Sequence, residues 1–166
     1  MKRIFIILAF FGLGFLLYLY ISNSRKENKV FVYDYENDLT QEQVNKFESL
    51  FKAHEQKTTN EIVLVTTNSY GSSKNILFYS VNFGREHEIG KADKKNGVVI
   101  VFSAKKLETK ISTGYGTEKF LKDDIAKEII DSLIVPELKQ GKTFDGLWKG
   151  SKAIVEFLEK SENKIN

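Results

Sequence analysis

Carboxylates and carboxamides lie beside glycines at several points of this sequence. Asp34, Glu61, Asn96, Asp123 and Asp124 are the main ones, with Asp93 and Glu118 close by. Asn96 opens an Asn-Gly pair with Gly97, and Gly114-Tyr115-Gly116 precedes the two aspartates. Oxygen ligands converging on a glycine-rich backbone suit a hard cation, Ca²⁺ or Mg²⁺. Such an ion could polarise a phosphoryl oxygen or activate water, with Asp123 and Asp34 as the candidate catalytic carboxylates. Other chemistries are excluded or lack their parts. The chain has no cysteine, hence no disulfide, no thiolate and no sulfur-based zinc site. Its two histidines, His54 and His87, are too few for a histidine-rich centre. No GxSxG elbow or GxxxxGK[ST] loop is present, and no histidine is placed to serve a serine. A hydrolase built on this chain would work through metal and carboxylate.

Each of these residues also has an ordinary role. Asn-Gly is a common turn, Asp123 suits a helix N-cap and Asp124 the positive end of a helix. The glycines would ease a tight exit from a sheet. A site requires that the elements bring them together.

Those elements can be read from local signals. Val30–Tyr33 is β-prone and ends at Asp34. Thr40 and Gln43 have capping-box spacing, and Leu39 with Val44 has the spacing of a hydrophobic staple. The helix they open puts Val44, Phe47, Leu50 and Phe51 on one face, with His54 a half-buried packing histidine further along. Glu61–Thr67 is a β-branched, buried strand. Ser69–Ser73 is a loop supplying a serine N-cap to a second helix, whose inward set is Ile76, Leu77, Val81 and Phe83. Gly90–Asn96 is a polar turn, Gly97–Ser103 a second buried strand, and Leu107–Thr113 its hairpin partner with one wetter side. Helices follow over Asp123–Val135 and Phe144–Leu158. The order β-α-β-α-β-β-α-α predicts an α/β fold: a three-layer α/β/α sandwich around a small mixed sheet.

A helical crossover makes strands 61–67 and 97–103 parallel, and the hairpin partner runs back. Glu61, Asn96-Gly97, Gly114-Tyr115-Gly116 and Asp123-Asp124 are therefore expected at one sheet edge. Asp34 joins them if the first strand ends there.

Ile4–Ser22 is nineteen residues without a charge, preceded by Lys2 and Arg3. At about 1.5 Å per residue it spans roughly 28 Å, the thickness of a bilayer's hydrocarbon core. The expected division is a membrane anchor or signal segment over 1–24, a linker over 25–30, a domain over 31–160 and a tail over 161–166. The N-terminal transmembrane helix would hold the domain on the extracytoplasmic side, periplasmic or outer. Lys2, Arg3, Arg25, Lys26 and Lys29 against Glu27 give the first 29 residues a net charge of +4. With +3 over the whole chain, the rest carries −1, which argues against nucleic acid as a partner.

An ordered series of short motifs resembles the TPM domain family. It runs from Val32-Tyr33-Asp34 and Leu39 through Glu61–Val65, Ile89-Gly90 and Asn96–Ile100 to Ile111–Glu118. It ends with Leu121-Lys122-Asp123, Pro136-Glu137-Leu138, Gly141 and Phe144. The resemblance implies an α/β/α sandwich, exported or tethered to a membrane. It also implies divalent-cation binding, notably calcium, and a part in maintaining or assembling membrane-protein complexes of the envelope. The alternative it implies is a low-specificity, cation-dependent acid phosphatase. Asp34, Asn96, Gly114, Gly116 and Asp123 match its motif positions. Two positions depart: His87 stands where members often have Trp, and Lys95 where an acidic residue often precedes Asn-Gly.

Overall fold

A computed structural model of the chain describes residues 29–160. The expected membrane span at Ile4–Ser22 and the tail at 161–166 lie outside the described residues. Among the described residues, no helix is long and apolar enough to cross a membrane. The whole sheet belongs to the unit that begins at Phe31.

Four strands form one mixed sheet: β1 (Val32–Asp34), β2 (Glu61–Thr66), β3 (Gly97–Ser103) and β4 (Glu108–Thr113), side by side in chain order. β1, β2 and β3 are parallel and β4 is antiparallel to β3. β2 and β3 are buried along their whole length, which accounts for their unbroken β-branched runs. The edge strand β4 buries only Ile111.

The helix α1 (Gln41–Thr58) starts as the sequence predicts, with the Thr40 hydroxyl and the Gln43 side chain each bonding the other's backbone N–H. It crosses from β1 to β2 and returns the chain to the starting edge. β1 therefore runs parallel to β2, with Asp34 paired to Thr66. That corrects one expectation: Asp34 ends at the edge opposite Glu61 and Gly97.

The remaining helices are α2 (Ile76–Glu86), α3 (Tyr115–Glu118), α4 (Asp123–Ile129), α5 (Val135–Leu138) and α6 (Thr143–Glu159). A π turn over Ile130–Ile134 joins α4 to α5. Alternation along the strands divides the core in two. Ile62, Leu64, Val98, Ile100 and Ile111 pack with Phe47 and Phe51 of α1 and Leu147, Ile154 and Leu158 of α6. Val63, Val65, Val99 and Val101 pack with Phe83 of α2, with Tyr33, Ile76, Tyr79 and Ile89 around them. The sheet is thus covered by several helices on one face and by α2 on the other.

Four local expectations need correction. The N-cap of α2 is Asn75, whose side chain accepts the Phe78 N–H at 3.1 Å, and not a serine. This start makes Ile76, Tyr79, Ser80 and Phe83 the inward set, pinned by a 2.6 Å hydrogen bond between the Ser80 and Ser112 hydroxyls. Leu77 and Val81 face outward and are 45% and 38% exposed. The N-cap of α4 is Lys122, with Asp123 and Asp124 in the first turn. His54 is fully buried, its Nδ1 at 3.2 Å from Glu159. Burial lowers its pKa, and the Glu159 carboxylate opposes that only in part.

Candidate functional site

At the starting edge of β2 and β3, the glycine-rich pieces meet as expected. Asn96 is fully buried. Its side-chain Oδ1 accepts the Lys91 N–H at 2.8 Å, and its side-chain Nδ2 donates to the Thr59 carbonyl at 2.9 Å and to Asn60 Oδ1 at 3.1 Å. Glu61, also buried, accepts the Gly90 N–H at 2.9 Å, while its own N–H donates to the Asn96 carbonyl. The Gly114 and Gly116 amides donate to the carbonyls of Gly97 and Lys95, both at 2.9 Å. Backbone approaches backbone here. A Cβ on Gly90 would stand 2.5 Å from the Gly97 nitrogen, and one on Gly116 would fall inside the Lys94 carbonyl oxygen's contact radius. The arrangement locks the 89–97 segment onto the exit of β4.

The carboxyl ends of β1, β2 and β3 carry a different set. In open α/β sheets ligands bind outside the carboxyl ends of the strands where the strand order reverses, and this sheet has no such reversal. Asp34 closes the loop after β1: Oδ1 accepts the Asp38 N–H at 3.0 Å and the Thr66 hydroxyl, and Oδ2 accepts the Leu39 N–H at 3.1 Å. Glu36 accepts the Asn68 N–H at 2.9 Å. Asp38 Oδ2 is buried and has no hydrogen-bond partner. Burial, together with the charges of Asp34 and Glu36, raises the Asp38 pKa. None of these three carboxylates forms an ion pair among the described residues. The β3–β4 side of the same edge is bonded internally apart from the Thr109 hydroxyl, which is buried without a partner. Asn68 Oδ1 accepts from the Ser103 hydroxyl and the Lys105 N–H. The Tyr70 hydroxyl donates to Glu108 at 2.7 Å, and burial pushes its pKa up to about 12. The Lys106 ammonium stands over its ring.

The sequence-derived site residues therefore divide. Glu61, Asn96, Gly97, Gly114 and Gly116 come together, and Asp34 sits across the sheet. Asp123 is exposed, with Lys110 Nζ at 3.5 Å. Asp124 accepts the N–H of its neighbour Ile125. The Tyr115 side chain, in the Gly-Tyr-Gly run, is 79% exposed. His87 is the exposed C-cap of α2, stacked on Phe83. The sequence reading missed Glu36 and Asp38. Their signal is the alternation Asp34-Tyr35-Glu36-Asn37-Asp38 in the loop after a strand. Among the described residues, no three acidic or histidine side chains form a ready metal cage. A cation at the Asp38 edge would draw on carboxylates together with backbone and water oxygens, as Ca²⁺ and Mg²⁺ do. The orphaned Asp38 oxygen fits such a group.

Comparison with known proteins places the fold. The N-terminal domain of a protein from P. gingivalis superposes with a TM-score of 0.73 at 24% identity, over 84% of this chain and 88% of that one. The BA42 protein of the psychrophile Bizionia argentinensis superposes at 0.64 with 19% identity, over 78% and 90%. The N-terminal domain of cg2496 from Corynebacterium glutamicum does so at 0.61 with 9% identity, over 78% and 80%. These likenesses concern the fold. No curated protein matches the chain. The TPM domain family matches residues 32–157, nearly everything from β1 to the end of α6, and the chain belongs to that family.

Proposed function

We propose that this TPM-domain protein is a divalent-cation-binding module tethered to a membrane on its extracytoplasmic side, where it supports membrane-protein complexes of the envelope. Ca²⁺ is the preferred ion. Its ligands are the Asp38 and Glu36 carboxylates, with Asp34 holding the loop that presents them. One observation carries the reading: Asp38 keeps a buried carboxylate oxygen without a partner, beside two further carboxylates and no paired cation. Leaving such a group unmatched costs free energy, and a cation removes that cost. The nineteen uncharged residues at Ile4–Ser22 support the tether.

The test is an NMR titration of the protein with Ca²⁺ and with Mg²⁺. Shifts gathered at Asp34–Thr40 and Asn68, absent in Asp38→Asn, are the expected result. A titration that leaves those amides unmoved would remove the cation from this edge. Shifts confined to Asp123–Asp124 would return it to the site read from the sequence. Crosslinking in cells checks the remaining part, and recovery of no membrane protein would count against the role in complexes.

A further inference from the structure

The outward face of α2 gathers three of the seven exposed large hydrophobic residues among the described residues. Leu77, Phe78 and Val81 are 45%, 51% and 38% exposed, and Val81 lies four residues from Leu77 and three from Phe78, so it neighbours both on the helix. Lys74, just before the N-cap, and Arg85, in the last turn, continue the same stripe at its two ends. Both are exposed, and neither forms an ion pair among the described residues. Arg85 is also the only arginine after residue 25. An apolar centre with a free cation at each end is the pattern of a helix lying in a lipid interface. There the side chains enter the acyl boundary and long basic residues reach the phosphates.

We infer that this face of α2 rests on an anionic phospholipid surface. The inference depends on the membrane attachment proposed above. The chain outside the described residues supplies the reason to choose lipid. An uncharged span ends at Ser22, and eight residues, 23–30, separate it from Phe31, where the sheet-bearing unit begins. Eight extended residues reach roughly 28 Å. The outer surface of a helix packed on a sheet stands roughly 15 Å from the sheet. The linker is long enough to let α2 touch the bilayer and short enough to keep the domain within its own reach of the surface. Tethering makes the contact intramolecular, so a small apolar stripe suffices. The opposite face of the sheet, covered by α1 and α6, then points to solvent.

Because the chain has no cysteine, single labels are clean. The full chain is reconstituted in vesicles of phosphatidylcholine and phosphatidylglycerol, with an environment-sensitive fluorophore at Asn82→Cys beside the stripe or at Lys52→Cys on α1. A nitroxide at shallow acyl depth is the quencher. The expected result is flotation with the vesicles, with blue-shifted and quenched emission from position 82 and aqueous emission from position 52. Adding Leu77→Glu and Phe78→Glu should return position 82 to aqueous emission without lowering the unfolding midpoint, since both side chains are exposed. Flotation with aqueous emission at both positions would overturn the docking and leave the tether standing. Failure to float would overturn both. Shielding of position 82 from water and quencher alike, with crosslinked dimers, would give the face to a second copy of the chain and overturn the lipid assignment.

Discussion

At the starting edge of β2 and β3, Asn96 commits its carbonyl oxygen and amide to Lys91, Thr59 and Asn60. At the finishing edge of β1, Asp38 keeps one buried oxygen with no partner. Both edges gather polar residues around tight loops, and both keep buried atoms without a partner, Asn60 Nδ2 and Thr117 Oγ1 at the starting edge and Asp38 Oδ2 at the other. Charge separates them. An edge whose unmatched atoms are neutral, around an Asn96 that is fully bonded, is a structural lock. An edge with an orphaned, electrostatically strained carboxylate has something left to offer a ligand.

The lock should break hardest where backbone meets backbone. Gly116→Ala drives a methyl group into the Lys94 carbonyl oxygen, with no flexible side chain to yield. The expected loss is about 3 kcal/mol or more, read as a fall in the midpoint of chemical denaturation. A variant of wild-type stability would mean that the 89–97 segment does not sit on the β4 exit. Asn96→Ala comes next. It leaves the Lys91 N–H, the Thr59 carbonyl and Asn60 Oδ1 unmatched in a part-buried place, at about 2–4 kcal/mol. The same denaturation experiment checks it, and Ca²⁺ affinity should be unchanged in whatever fraction stays folded.

Much of this arrangement is legible from the sequence because local signals are strong there. Thr40 and Gln43 announce α1, the apolar runs at β2 and β3 announce buried strands, and Asn96-Gly97 with Gly114-Tyr115-Gly116 announce a tight junction. Two things were not legible. The end of the sheet at which β1 finishes depends on its pairing with β2, a long-range contact that a three-residue strand does not signal. The inward face of α2 depends on a cap at Asn75 and a hydroxyl pair, Ser80 with Ser112, across to β4. Apolar content alone put Leu77 and Val81 inside. The setting of Glu36 and Asp38 depends on the same pairing, which brings the loop after β1 to Thr66 and Asn68 at the end of β2.

Asp38→Asn should move stability the other way. The folded-state pKa of Asp38 is raised, so its contribution is fully favourable below the unfolded value, near 3.8. That contribution is lost as pH rises through the folded value. At pH 7 without metal the ionised carboxylate works against folding, and the amide removes that penalty. The expected gain in Tm is about 1–3 °C at pH 7 in chelator, shrinking toward zero below the unfolded pKa. Calorimetry at both pH values decides. An equal loss at both would mean that Asp38 is a structural hydrogen-bond acceptor and that the edge is as closed as its opposite.

The smallest effect belongs to the residues the sequence marks most clearly. Asp123 has a side chain 87% exposed and one ion pair with Lys110 at the long distance of 3.5 Å. Exposed pairs of this kind contribute little, about 0–0.5 kcal/mol, since water screens both partners. Asp123→Ala should therefore leave the unfolding midpoint within error, and under the present assignment it should leave Ca²⁺-induced shifts at Asp34–Thr40 intact. A variant of normal stability that no longer binds the ion would reverse the comparison of the two edges. It would make the first turn of α4 the ligand and Asp38 the bystander, a result that burial and charge at Asp38 argue against.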